Sequence, residues 1–171
     1  IEIYDATTDI ANKFDFYIYA PKADRNLRKD WISTWSESYI IELIHLSRTY
    51  RNAGVKFGVG LSPFGLDHIN ELDLEKNLIE KINILNTIGI DILGIFFDDM
   101  LVHENLAASQ ISLVKKVTQL TDAKIFFCPS FYSDDPILDK VFGKRPDNYL
   151  TQIGLEIPQG IEILWTGPKV I

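Results

Sequence analysis

A short apolar run, then a stretch with helical period, then another apolar run: this cycle restarts about every 35 residues, the length of a strand followed by a helix. The apolar runs are Phe14 to Tyr19, Val55 to Leu61, Ile92 to Phe97, Lys124 to Cys128 and Ile161 to Trp165. Each is nearly continuous in β-branched and aromatic residues, as expected of strands buried on both faces of a parallel sheet. A chain built this way is restricted to α/β architectures.

The intervening helices have readable ends. Ser36 or Ser38 caps a helix reaching about Asn52, with Ile40 and Ile44 at helical spacing and Gly54 at the left-handed closing position. Asp73 begins a second helix, with Leu74, Leu78, Ile82 and Leu85 on one stripe and Gly89 at its end. A third runs from about Glu104 to Leu120 and a short fourth from Asp147 to Leu155. Ser133 to Pro146 reads as a long loop with one turn of helix. No linker or low-complexity segment interrupts residues 1–171, so one domain is expected.

Five such units fit either an open doubly wound sheet or part of a (β/α)8 barrel. A whole barrel takes about 250 residues, so 171 fall short by two or three units. An open nucleotide-binding sheet would carry a glycine-rich loop after its first strand, yet Ala20-Pro21-Lys22-Ala23-Asp24 holds no glycine.

Composition narrows the function. Net charge is 17 − 24 = −7, which argues against nucleic-acid binding through a basic face. No apolar run approaches the roughly 18–20 residues of a membrane span. A lone cysteine, Cys128, excludes an intrachain disulfide framework and a multi-cysteine zinc site. No His, Cys or carboxylate spacing resembles a zinc or calcium motif, so neither metal nor cofactor is expected.

In parallel α/β folds the working residues lie at the carboxyl ends of strands. Here those ends read Tyr19-Ala20-Pro21-Lys22, Ser62-Pro63-Phe64-Gly65, Phe97-Asp98-Asp99-Met100, Cys128-Pro129-Ser130-Phe131-Tyr132 and Trp165-Thr166-Gly167-Pro168-Lys169, all expected on one rim. The Asp98-Asp99 pair is the sharpest signal. Two close carboxylates among Phe96, Phe97 and Met100 repel each other and resist charge, so one is expected to hold its proton while the other ionises. Glycoside hydrolysis uses such a division. Taken alone, such a pair is more often structural, a loop start and helix cap, or metal-binding, as magnesium ligands in a phosphoryl-transfer domain, than glycosidic.

The remaining candidates each have two readings. Lys22 is a solvated loop lysine or a donor to substrate hydroxyls, and Tyr132 is rim packing or a phenol aimed at developing charge. Cys128 reads as a small core residue, Trp165 as core or pocket wall, and His45 as structural; His68 and His103 lie in loops after strands.

Four segments together carry a resemblance: Tyr17-Ile18-Tyr19-Ala20-Pro21-Lys22-Ala23-Asp24, Gly94-Ile95-Phe96-Phe97-Asp98-Asp99, Phe127-Cys128-Pro129-Ser130-Phe131-Tyr132 and Ile163-Leu164-Trp165-Thr166-Gly167-Pro168-Lys169-Val170. In order and spacing they resemble the family 84 glycoside hydrolases, the O-GlcNAcase-type β-N-acetylglucosaminidases once also called hyaluronidases. The resemblance spans about Phe14 to Ile171. It implies a barrel and a retaining, substrate-assisted hydrolysis of terminal β-linked N-acetylglucosamine through an oxazoline, an exception to the two-carboxylate scheme. It places the acetamido-orienting carboxylate at Asp98 and the general acid and base at Asp99. Tyr132 would bond near the acetamido group, Lys22 would bind sugar hydroxyls, and Cys128 and Val170 would line the methyl pocket. The implied partner is an N-acetylglucosamine-bearing glycoconjugate or glycoprotein.

The chain departs from the family pattern in places. Ser130-Phe131 stands where the family reads Thr-Glu, and Phe64 is inserted before Gly65. Neither the opening Glu-Gly-Phe-Tyr-Gly strand nor the later Trp-Asp-Asn strand is matched, so the segment corresponds to strands two to six. An opened barrel exposes two strand edges, so either the protein is longer, or other segments cover the edges, or the piece self-associates. The rival reading is a non-catalytic N-acetyl-sugar-binding or interaction domain derived from the same barrel.

Overall fold

The computed structural model describes residues 14–170; the expected domain range 1–171 extends outside them at both ends. Strands β1 (Phe16–Tyr19), β2 (Lys56–Leu61), β3 (Ile92–Phe96), β4 (Lys124–Cys128) and β5 (Glu162–Ile163) pair in parallel, in chain order. Between them lie α1 (Glu37–Asn52), α2 (Glu71–Ile88), α3 (Leu106–Thr118), α4 (Ile137–Phe142) and α5 (Tyr149–Glu156). Among the described residues the strand order never reverses, and no switch point of a doubly wound fold is present. Because all strands run parallel, their carboxyl ends share one rim.

The two faces of the sheet differ. Tyr19, Phe57, Val59, Leu61, Leu93, Ile95, Phe97, Ile125 and Phe127 alternate onto the face covered by helices, joining Leu43, Leu46, Leu78, Ile82, Leu85, Val114 and Val117 in one core. Tyr17 stacks on Tyr50 of α1 there, with centroids 4.6 Å apart. The opposite face carries Phe16, Ile18, Gly58, Gly60, Gly94, Phe96 and Phe126. The Phe96 ring lies flat over two of these glycines: a Cβ on Gly94 would stand 2.3 Å from it, and one on Gly60 2.5 Å.

This glycine-floored face is concave. Phe16 of β1 and Phe126 of β4 meet edge to face with centroids 5.3 Å apart. Three strand spacings, roughly 14 Å in a flat sheet, separate β1 from β4. The sheet therefore curls tightly enough to bring the first and fourth strands together.

Several sequence expectations are revised. Burial on both faces holds for β2 and β3 but not for the flanking strands, where Phe16 and Ile163 stay more than 40% exposed. Position in the sheet, which apolar composition does not encode, decides this. The last strand contracts from Ile161–Trp165 to Glu162–Ile163, and Trp165 is exposed rather than core. Of the two serines, Ser36 caps α1, accepting from the Tyr39 amide. Helix α2 starts before Asp73: Asn70 is its cap, accepting from the Asp73 amide while its own amide bonds the Asp73 carboxylate. Left-handed Asn105 delays α3 to Leu106. The Ser133–Pro146 loop does contain a short helix, α4.

Candidate active site

Strand β3 delivers the acidic pair. The Phe97 amide donates to the Cys128 carbonyl at 2.8 Å, carrying the β3–β4 pairing one residue beyond Phe96. Asp98 follows on the concave side of the alternation and is half-buried; Asp99 is exposed, with φ of 62°. Aspartate tolerates that left-handed conformation better than most side chains, though not without strain.

Burial raises the Asp98 carboxyl above the usual carboxylate range, and the charge of Asp99 adds to the rise. Arg28 and Lys22, both on the loop after β1, pull the other way. From β4, the Cys128 thiol is pushed up to about 12 by burial and by the charges of Asp98 and Asp99. That thiol stays protonated and behaves as a small wall residue. The Tyr132 phenol is raised by burial, then by Asp99 and Asp98. Lys22, Asp98, Asp99, Cys128 and Tyr132 thus lie within electrostatic range around the end of β3.

The loop after β1 is held by a residue the sequence reading passed over. Lys81 of α2 is fully buried; its Nζ donates to Asn26 O at 2.7 Å and Ser33 O at 2.8 Å, and sits 3.6 Å from the Trp35 ring centroid. Asp24 accepts from Trp35 Nε1 at 3.0 Å and from the Asn26 amide at 2.9 Å. Burial lowers the lysine to about 7, with Asp24 opposing. The signal was present: Lys81 falls on the inward stripe between Leu78 and Leu85.

Under the acidic pair lies a buried polar network. Ser130 donates to Phe97 O at 2.8 Å and accepts from Gln110 Nε2 at 2.7 Å. The Tyr149 hydroxyl donates to Gln110 Oε1 at 2.5 Å and accepts from the Ser130 amide at 3.0 Å. Phe131 is buried edge-on against Tyr149. Gln110 and Tyr149 carry no sequence signal, because their partners are 19 or more residues away.

The loops after β4 and β5 are joined. The Thr166 amide donates to Tyr132 O at 2.9 Å, and Ser133 Oγ donates to Gly167 O at 2.7 Å. Asp135, held below the usual range by the Ile137 and Val170 amides, accepts from Val170 N at 3.0 Å. Val170 is tied to this rim by that bond and packs against the core.

A cleft of about 360 Å³ opens between the loops after β2 and β3, lined by Phe64, His68, Asp99, Met100 and His103 among others. Asp99 faces it; Asp98, Lys22, Cys128, Tyr132 and Val170 are not among its walls. His103 Nδ1 lies 2.7 Å from Glu104 O, His68 lies beside Asp67, and His45 is exposed on α1. Among the described residues no three His, Cys, Asp or Glu side chains gather as a metal set, and no helix is long and apolar enough to cross a membrane.

A family model described as beta-N-acetylglucosaminidase matches residues 6–171. Protein O-GlcNAcase of Rattus norvegicus and that of Mus musculus are each 30% identical to the chain over 167 residues, covering 91% of it. The chain spans only 18% of the length of either. Among solved structures, a mutant of the Thermobaculum terrenum O-GlcNAc hydrolase aligns with a TM-score of 0.79 at 28% identity, covering 99% of this chain and 39% of that one.

Proposed function

We propose that this chain, which belongs to the beta-N-acetylglucosaminidase family, forms the catalytic segment of a glycosidase that removes terminal β-linked N-acetylglucosamine from glycoconjugates, glycoproteins included. The reading is a stretch of (β/α)8 barrel corresponding to strands two to six. The tight curl that joins Phe16 to Phe126 and the unreversed strand order support it.

The observation that carries the function is the adjacent acids at the end of β3 in two environments, within reach of Lys22 from the loop after β1 and of Cys128 and Tyr132 from the end of β4. In the proposed mechanism the substrate's acetamido oxygen attacks the anomeric carbon and the glycosidic bond breaks, giving an oxazoline. Asp98 accepts the acetamide N–H and stabilises the positive charge that develops on the ring; that donor, with Lys22 and Arg28, favours its ionised form. Asp99 gives its proton to the departing oxygen, then takes one from the water that opens the oxazoline. Lys22 binds sugar hydroxyls, Tyr132 bonds near the oxazoline, and Cys128 and Val170 enclose the methyl group.

The test is hydrolysis of a series of aryl and alkyl β-N-acetylglucosaminides by the protein and its Asp99→Asn variant. Loss of about 10²–10⁴-fold on alkyl glycosides, with far less on activated aryl ones, is expected of a general acid. Small, equal losses on both overturn the assignment. The second reading is an N-acetyl-sugar-binding domain without turnover. The exposed Phe16 on the glycine-floored face favours it, because that ring is uncovered among the described residues. Sugar binding with no hydrolysis of any aryl glycoside would select it.

A further inference from the structure

We propose that the groove between the loops after β1 and β2 binds an anionic group, a carboxylate or phosphate, carried by the substrate beside its sugar; the word substrate rests on the glycosidase reading, whereas the groove rests on its own geometry. It encloses about 550 Å³ and is lined by Lys22, Arg25, Arg28, Lys29, Phe64 and Gly65. Among the described residues four cations and no acid form its walls. Arg25 is paired, with Asp30 at 2.7 Å, while Lys22, Arg28 and Lys29 carry no ion pair among the described residues. In a chain of net charge −7, three neighbouring cations outside any ion pair among the described residues are a local excess that an anion would neutralise.

The walls are preformed. Leu27, inside the groove loop, is fully buried, and its carbonyl accepts from the Ser62 amide of the other wall at 2.7 Å. Trp31, also buried, donates from Nε1 to Phe64 O at 3.1 Å. Lys81 fastens the loop from beneath through Asn26 and Ser33. The Arg28 guanidinium lies 5.0 Å from the Phe64 ring centroid. A guanidinium held on an aromatic ring, flanked by lysines, matches an oxyanion.

Location ties the groove to the acidic pair. Phe64 and Gly65 wall both this groove and the Asp99 cleft, and the charges of Arg28 and Lys22 reach Asp98. A group bound here sits next to the bond being cleaved. The groove's size and the negative charge of the rest of the chain suit one or two anionic groups rather than a long polyanion.

The first arm of the test titrates inorganic phosphate into the isotopically labelled protein, following backbone amide resonances against chloride at equal ionic strength. Phosphate-specific shifts at Arg25 to Lys29 and at Phe64 and Gly65, lost in the Arg28→Gln/Lys29→Gln double variant, are expected. Shifts that chloride reproduces overturn the proposal. The second arm measures affinity of the Asp99→Asn protein for N-acetylglucosaminyl-serine peptides whose flanking residue is Asp, phosphoserine or Asn. The acidic or phosphorylated peptide should bind about tenfold more tightly than the neutral one, the scale of one charge-assisted contact, with the advantage abolished in the double variant. The Asp and phosphoserine arms identify which anion is preferred, and equal affinity for all three peptides overturns the proposal. Phosphate mapping to the groove with no glycopeptide bound supports the anion site and sinks the glycosidase reading. Sugar binding with no phosphate response in the groove sinks the anion proposal alone.

Discussion

The ring of Phe16 stands edge-on to that of Phe126 at 5.3 Å, although two strands lie between them in the sheet. This contact exists only because the sheet curls. Removing either ring should therefore cost less in the background lacking the other. A double-mutant cycle with Phe16→Ala and Phe126→Ala, read by urea denaturation, is expected to give a coupling of about 0.5–1.5 kcal/mol. Strict additivity would mean that the rings merely share solvent-exposed surface.

Gly94 sets the depth of the concave face. A methyl group there would stand 2.3 Å from the Phe96 ring. Gly94→Ala should destabilise the fold by about 1–3 kcal/mol, the usual range for forcing a methyl into a filled space. The penalty should shrink when Phe96→Leu is present, because the atoms in the way are then gone. An unchanged penalty in that background would place the strain elsewhere.

The acidic limb of the rate profile should report Asp98. Its carboxyl is raised by burial and by Asp99, and Arg28 and Lys22 oppose the rise. If ionised Asp98 orients the acetamide, activity falls as pH drops through that value. Arg28→Gln removes one opposing cation, so the limb should move to higher pH. A profile of kcat/KM on a neutral aryl glycoside checks this, and movement to lower pH would contradict the role.

Lys81 should leave a mark on stability. Burial lowers its folded value to about 7, against an ordinary 10.5. Between those values the unfolded chain keeps a proton that the folded chain has released, so stability rises with pH across that window. Lys81→Met removes the group and should flatten the difference between pH 7 and pH 9, worth on the order of 2 kcal/mol. Urea midpoints at the two pH values measure it, and an identical slope in the variant would show that other groups cause it.

The recurrence of apolar runs and helical stretches was enough to read the strand–helix alternation, because period and β-branching act locally. It also put Asp98 and Asp99 at a strand end and listed the rim segments, since parallel strands share one carboxyl edge. Three-dimensional packing alone decided the rest. Which carboxyl is desolvated depends on what lies across the sheet: Asp98 half-buried near Arg28 and Cys128, Asp99 open to its cleft. Lys81 reads as an ordinary helix lysine until the β1 loop folds over it, and Gln110 finds Ser130 and Tyr149 only when α3, β4 and α5 have packed. Curvature follows the same logic, because the ring of Phe16 meets a strand more than 100 residues away along the chain. Local periodicity assigns a face to each side chain, while charge, burial and closure depend on neighbours brought together through space.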